Sequence, residues 1–204
     1  MNTKSIMIFA VVTLGVLLGM GGLLWQFGNT AEKPIVDIAG EMRYKIGSGG
    51  VILVEFSDFQ CPACQAVQAP LKQILAKYSG KMQFVYRDFP LTNIHKNAQI
   101  AAQVAEAAYQ QGKFWEMHDK LFETQKEWSG LTDPREKFGV YAAELGVEKD
   151  KFETDMESQV TKDVVSVDIL AATRYRISGT PTFYVNGVKT EFGQLEIRLQ
   201  QLTK

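Results

Sequence analysis

Cys61 and Cys64 are the only cysteines in this 204-residue sequence, and Pro62 and Ala63 lie between them. Two thiols at this spacing can exchange with disulfides: one thiolate attacks, and the second thiol resolves the mixed disulfide. The thiolate is the reactive form, and its pKa falls from ~8.5 to roughly 3.5–7 in Cys-X-X-Cys motifs. The pair therefore predicts thiol–disulfide exchange, with the first sulfur at an exposed position and the second pointing inward.

Three other interpretations of the pair compete with this one. A structural disulfide would close so small a ring that it stabilises by only about 2 kcal/mol. A zinc site needs two further ligands, and the two histidines, His95 and His118, lie 23 residues apart rather than within a 3–5-residue spacing. Two unrelated core cysteines are the third alternative.

The elements around the pair predict a strand–helix–strand unit. Residues 51–56 form an apolar, β-branched run typical of a buried strand. Apolar side chains recur every three or four residues between positions 67 and 78, which predicts an amphipathic helix, and residues 82–87 alternate like a second strand. Cys61 would then lie at the start of the helix, where backbone N–H groups and the helix dipole favour a thiolate.

A long helical region interrupts this α/β pattern. We predict helices at 97–111, 114–124, 134–145, 150–159 and 162–175. Strand-forming residues return at 181–185, Asn186-Gly187 indicates a hairpin, and a final helix covers 194–202. The all-helical insertion is thus expected at about 89–178. A short edge strand is predicted at 35–38.

The segment Gly179-Thr180-Pro181-Thr182 precedes the returning strand. Proline is acceptable at the first residue of a strand but not inside a central one. A cis peptide before Pro181 would open a turn and expose the backbone of Thr180. A trans proline in a loop is the alternative.

The amino terminus predicts a membrane segment. Residues 6–27 carry no charge, and a helix of that length spans roughly 33 Å, close to a bilayer core of about 30 Å. An uncleaved signal anchor is favoured over a cleaved signal peptide, although Gly19-Met20-Gly21 resembles a cleavage site. Lys4 favours a cytoplasmic amino terminus, which would place the globular part outside the cytoplasm.

The overall composition excludes other classes of function. The net charge of −1 indicates no nucleic-acid partner, and an apolar content of 46% is too high for a disordered chain.

The sequence resembles the thioredoxin superfamily and, within it, the DsbA-like thiol oxidoreductases of bacteria. The resemblance covers about residue 45 to the C-terminus. It is carried by residues 54–64 (VEFSDFQCPAC), 88–91 (DFPL), 112–118 (GKFWEMH) and 179–183 (GTPTF).

This resemblance implies an α/β, thioredoxin-like fold with an inserted helical subdomain. It implies that Cys61 is the nucleophile and Cys64 the resolving thiol, and that their redox-active disulfide is the only cofactor, with no metal. Pro181 would be cis beside the disulfide, with the Thr180 backbone binding extended substrate chains.

The resemblance also assigns roles around the pair. Pro62 and Ala63 are expected to contact substrate. Glu55, six residues before Cys61, matches a buried carboxylate that exchanges protons with Cys64; a structural ion pair at the strand end is the alternative. Strong oxidants of the family often carry histidine where Ala63 stands, so a less oxidising pair is expected.

The aromatic and imidazole side chains of the insertion receive no catalytic role. Trp115 is interpreted as core or groove lining and His118 as a helix-surface residue. The insertion is expected to offer unfolded substrates an apolar docking surface beside the proline.

The resulting hypothesis is a membrane-anchored extracytoplasmic oxidase, with residues 1–30 as anchor and 31–204 as the DsbA-like domain; cleavage would instead release a secreted form. It would give disulfides to unfolded or reduced proteins and be reoxidised by a quinone-linked membrane protein of the DsbB or VKOR kind. A reductase or isomerase of the same fold, a redox-inactive chaperone or binding module, and a metal-delivery protein are the alternatives.

Overall fold

The computed structural model describes residues 35–204. The predicted membrane segment at 6–27 and the proposed anchor at 1–30 lie outside the described residues. Within residues 35–204, no helix combines the length and the apolar character needed to cross a bilayer.

A five-stranded sheet forms the centre of the fold, in the order β1-β3-β2-β4-β5. The strands are β1 (Tyr44–Gly47), β2 (Val51–Ser57), β3 (Met82–Asp88), β4 (Thr182–Val185) and β5 (Val188–Thr190). Strands β2 and β3 are parallel, whereas β1–β3, β2–β4 and β4–β5 are antiparallel pairs. This is the sheet of an α/β, thioredoxin-like fold.

The helices fall into two groups, one packed on the sheet and one inserted in the chain between β3 and β4. The helices are α1 (Ile35–Ala39), α2 (Pro62–Tyr78), α3 (Ala98–Tyr109), α4 (Phe114–Glu123), α5 (Gln125–Trp128), α6 (Arg135–Glu144), α7 (Lys149–Glu157), α8 (Gln159–Arg174) and α9 (Leu195–Leu202), with a 3₁₀ turn at Phe192–Gln194. Helices α3–α8 form the predicted insertion, and β2–α2–β3 is the predicted strand–helix–strand unit.

The alternation of side chains along β2 determines what faces α2. Successive residues of a strand point to opposite faces of the sheet. Leu53 belongs to the core cluster that includes Cys64 and Leu71 of α2, whereas Val54 belongs to a second cluster on the other face. By the same alternation, Glu55 and Ser57 lie on the face that α2 covers.

The predicted edge strand at 35–38 is wrong, because these residues begin helix α1. The adjacent residues Ile38 and Ala39 are both buried, and they pack in the same cluster as Val54 of β2. Gly40 follows the helix with φ +60, and Arg87 donates from Nη1 to the Ile38 carbonyl at 3.1 Å. The first edge strand of the sheet is β1 instead.

Candidate active site

Cys61 is the N-cap residue of α2, with extended backbone angles of φ −72 and ψ 121. Its backbone N–H donates to the Asp58 carbonyl at 3.0 Å, and Pro62 begins the helix. Its sulfur lies 3.5 Å from the carbonyl oxygen of Thr180. Only 6% of Cys61 is exposed, so the sulfur is more covered than the sequence predicts.

Four surrounding residues leave the covered thiol approachable. The peptide bond between Thr180 and Pro181 is cis, and both residues are half-buried. Pro62 is exposed together with Ala63. A substrate chain that reaches Cys61 would therefore pass over these residues and beside the Thr180 carbonyl.

The surroundings of Cys61 favour its thiolate and lower its pKa to about 5. The largest cause is a hydrogen bond from the Cys64 thiol, which outweighs the opposing effect of burial. Thr180 and the backbone N–H groups of Ala63 and Cys64 lower the pKa further. The helix start therefore stabilises the thiolate as predicted, and the second thiol adds to the effect.

Cys64 has the opposite preference. It is 0% exposed, and burial raises its pKa, with further increases from the hydrogen bond to Cys61 and from the negative charge of Glu55. Both cysteines are free thiols in this structure. The pair thus combines an activated thiolate with a thiol that holds its proton, which is the division of roles that exchange chemistry needs.

Glu55 is completely buried beneath the pair. Its Oε1 accepts hydrogen bonds from Ser57 Oγ at 2.8 Å and from Gln68 Nε2 at 3.4 Å, while Oε2 has no partner among the described residues. Burial raises the pKa of Glu55 to about 7, against the lowering effect of the two donors. A carboxyl group with this pKa can give or take a proton near neutral pH.

Asp58, which sequence reasoning missed, fixes the loop that leads to Cys61. Its carboxylate accepts from the backbone N–H of Gln60 at 2.7 Å and of Leu91 at 2.9 Å. The same carboxylate contacts His95 Nδ1 at 2.7 Å. A short polar residue just before a helix often accepts from the backbone two residues on, so the Asp58–Gln60 contact was recognisable, whereas the partners beyond residue 90 were not.

His118 was predicted at the helix surface, and this is wrong, because only 3% of it is exposed. It lies four residues from both Phe114 and Phe122, so it shares the buried face of α4. Burial lowers its pKa, and its Nδ1 contacts Asp119 at 3.0 Å. Trp115 lines a cavity of about 440 Å³ and packs against the core, in agreement with the prediction.

The two histidines make separate contacts, His95 with Asp58 and His118 with Asp119. Across the part of the chain that the structure describes, no three His, Cys, Asp or Glu side chains are arranged to hold a metal ion.

A reactive thiolate, a protonated partner thiol and a buried carboxyl group on this fold define the class of dithiol exchange proteins. Comparison with known sequences specifies the family: a family model described as "Thioredoxin" matches residues 48–202. The chain is 30% identical over 200 residues to the probable disulfide bond formation protein D of Bacillus cereus, covering 92% of this chain and 91% of that protein. The chain belongs to the thioredoxin superfamily and, within it, to the DsbA-like thiol–disulfide oxidoreductases.

Other relatives extend the comparison. The chain is 39% identical over 137 residues to the Na⁺/H⁺ antiporter NhaA 3 of Salinispora tropica, covering 67% of this chain but 20% of that protein. The chain therefore spans about a fifth of the length of that relative. The crystal structure of oxidised BdbD from Bacillus subtilis superposes with a TM-score of 0.71 at 20% identity, covering 80% of this chain and 94% of that one, which supports the fold.

Proposed function

We propose that the protein is a dithiol oxidase that introduces disulfides into proteins outside the cytoplasm through Cys61 and Cys64. The observation that carries this proposal is the opposite displacement of the two thiol pKa values, with Cys61 lowered to about 5 and Cys64 raised. Such a pair favours the reduced state of the protein, because the Cys61 thiolate is stabilised only when the disulfide is open. A pair that prefers to be reduced donates its disulfide readily.

The pKa of Cys61 also supports an intermediate oxidising strength. A value of about 5 lies between ~7 for thioredoxin and ~3.5 for DsbA. Ala63 supplies no cation or hydrogen-bond donor from its side chain, so the thiolate depends on the helix N–H groups, on Thr180 and on Cys64.

The proposed reaction transfers two electrons from the substrate to the protein. A substrate thiolate attacks Cys61 Sγ, the Cys61–Cys64 bond breaks, and Cys64 leaves as a thiolate that takes up a proton. A second substrate thiolate then attacks the substrate sulfur of the mixed disulfide. Cys61 leaves as a stabilised thiolate, the substrate gains a disulfide, and the protein becomes a dithiol.

Glu55 is the proposed proton donor and acceptor for Cys64. It is buried on the same face of the sheet, its charge raises the pKa of Cys64, and its own pKa of about 7 suits transfer in both directions.

Exposed apolar side chains on loops that are hydrogen-bonded to Gln60 support an unfolded polypeptide as the substrate. Ile94 is 68% exposed, and Leu131 is also exposed. Both lie on loops tied to Gln60 next to the nucleophile: Gln60 Nε2 donates to Ser129, and Gln60 Oε1 accepts from the Asn97 backbone. An unfolded chain could dock these side chains while its thiol reaches Cys61 beside Pro62, Ala63 and the Thr180–Pro181 peptide.

The proposal includes the cellular setting. Disulfide donors act in oxidising compartments, and residues 1–30 would anchor the domain there as a signal anchor. The reduced pair must then pass its electrons on, and the proposed acceptor is a quinone-linked membrane protein of the DsbB or VKOR kind.

The redox potential of the Cys61–Cys64 pair tests the direction of transfer. Full-length protein in detergent would be equilibrated with glutathione buffers, and the dithiol fraction measured by thiol alkylation and mass. A potential of about −120 to −200 mV would support a disulfide donor, whereas one near −270 mV or lower would indicate a reductase. Cys61→Ser should abolish oxidation of a reduced, unfolded polypeptide, and retained oxidation would reject Cys61 as the nucleophile.

A further inference from the structure

Ser57, the last residue of β2, is hydrogen-bonded to Glu55, one of the two groups that must share a proton. It is 0% exposed, and its Oγ donates to Glu55 Oε1 at 2.8 Å. The Ser57 side chain also acts on Cys64, because it lowers the pKa of that thiol. Because Glu55 and Ser57 are two residues apart on one strand, both side chains face α2, where Cys64 lies.

A proton that moves to or from the Cys64 sulfur must travel through the interior of the protein. Cys64, Ser57 and Glu55 are all fully buried, so bulk water does not contact the Cys64 sulfur directly. Glu55 Oε1 has two donors, Ser57 Oγ and Gln68 Nε2. An amide nitrogen donates but cannot accept a proton, whereas a hydroxyl does both. Of the two groups bonded to Oε1, only Ser57 can therefore pass a proton onward.

We propose that Ser57 relays the proton between Cys64 and Glu55. This inference rests on the proposed function and adds a catalytic residue to the same site. When Cys64 resolves a mixed disulfide at Cys61, its S–H proton passes to Ser57 Oγ while the Ser57 proton passes to Glu55 Oε1. The Cys64 sulfur bonds to Cys61, and the former partner leaves as a thiolate.

Substrate oxidation runs the relay in reverse. Cys64 leaves as a thiolate when a substrate thiolate attacks Cys61. The carboxylic proton of Glu55 then passes to Ser57 Oγ, and the Ser57 proton passes to Cys64.

The resolution step tests the relay. Reduced full-length protein in detergent would be mixed rapidly with oxidised glutathione, quenched with acid and analysed by mass, which separates mixed-disulfide formation at Cys61 from resolution by Cys64. Ser57→Ala should leave the first rate unchanged and slow the second on the order of tenfold, less than the 10²–10⁴ of a complete acid–base group. Its pH profile should also move to higher pH, because Cys64 must then ionise without the relay. Ser57→Thr, which retains the hydroxyl, should restore most of the rate.

Thr161→Val is the matched control, since Thr161 is also fully buried and its hydroxyl contacts Gln110 at 3.1 Å, far along the chain from the pair. This variant should change neither step. A proton inventory of the wild-type resolution step in H₂O–D₂O mixtures gives a test that does not depend on the folding of a variant. If two protons move in the same step, the plot of rate against the fraction of D₂O should be curved.

The outcomes separate the relay from the proposed function. An unchanged resolution rate and pH profile in Ser57→Ala, or a linear proton inventory, would overturn the relay while exchange through Cys61 continued normally. Failure of the wild-type protein to react with oxidised glutathione would instead reject the proposed function.

Discussion

The sulfur of Cys61 lies 3.5 Å from the carbonyl oxygen of Thr180, although 119 positions separate the two residues in the sequence. Their proximity follows from the antiparallel pairing of β2 with β4, in which Phe56 is opposite Thr182. Cys61 follows the last residue of β2, and Thr180 precedes the first residue of β4. Because these two strands are antiparallel neighbours, Cys61 and Thr180 meet at the same end of the strand pair. The helical insertion separates β2 from β4 in the sequence, yet the two strands still pair directly. A one-residue slip of β4 would turn its side chains to the wrong faces, so the register protects the site.

The contribution of Cys64 to the Cys61 thiolate is directly measurable. The rate of Cys61 alkylation by iodoacetamide in the reduced protein should follow a pKa of about 5. Cys64→Ala should raise that pKa, because it removes the hydrogen bond that lowers it most. Cys64→Ser is the matched variant: its hydroxyl can still donate, so its profile should lie between those of the wild type and Cys64→Ala. An unshifted profile in Cys64→Ala would mean that the helix start and Thr180 alone set the pKa.

The stability of the reduced protein should depend on pH in a way that the oxidised protein does not share. The pKa of Cys61 is lower in the folded dithiol than the ~8.5 of an unfolded cysteine. Its contribution to stability is therefore fully present above the unfolded pKa and is lost as pH falls toward about 5. The disulfide form has no thiolate there, so the difference in stability between the two forms removes the contribution of every group that titrates alike in both.

Urea unfolding of both redox forms between pH 5 and 8 checks this expectation. The stability of the reduced form relative to the oxidised form should increase with pH across that window. Equal pH dependence in the two forms would contradict a folded thiolate at Cys61.

Local patterns were sufficient to predict the core of the fold but not its polar connections. The run at 51–56, the helix after Cys61 and the Asn186-Gly187 turn each reflect contacts close in sequence, and each occurs as predicted. The segment at 35–38 was misassigned because four residues carry too little periodicity to distinguish a helix turn from a strand. Strand β1 was missed because most of its side chains are exposed.

The candidate site shows the same limit. Cys61 and Cys64 were recognisable from their spacing, and Glu55 from the resemblance. The roles inferred here for Ser57 and Asp58 depend on partners that only folding brings together, such as Leu91 and His95 for Asp58. His118 was misplaced because a histidine is polar by type, and only its four-residue spacing from Phe114 and Phe122 indicates burial.

Glu55→Gln should stabilise the protein at neutral and higher pH while slowing exchange. The pKa of Glu55 rises from an unfolded value of ~4.3 to about 7 in the folded state. Because the unfolded chain ionises first, the free energy of unfolding decreases progressively as pH rises between these values. Removing the titration should raise the free energy of unfolding by at most roughly 4 kcal/mol above pH 7 and change little at pH 4. Denaturant unfolding of wild type and variant at the two pH values measures the difference. A variant that is destabilised more at the higher pH than at pH 4 would show instead that Glu55 is ionised and stabilised in the fold.

Asp58 should be a larger determinant of stability than its partner His95. The Asp58 carboxylate is almost fully buried and serves the Gln60 and Leu91 N–H groups as well as His95 Nδ1. Asp58→Ala leaves three donors unpaired and should cost about 3 kcal/mol or more, whereas His95→Ala removes one donor from a carboxylate that keeps two and should cost about 1 kcal/mol.

Urea unfolding compares these variants with Asp163→Asn, an exposed carboxylate bonded to Gln159, which should change stability by less than about 0.5 kcal/mol. Asp58→Asn keeps one acceptor oxygen but replaces the other with an N–H donor, so its cost should fall between those of Asp58→Ala and His95→Ala. If His95→Ala proved as costly as Asp58→Ala, the two would act only as an ion pair. The backbone contacts to Gln60 and Leu91, which hold the approach to Cys61, would then contribute nothing measurable.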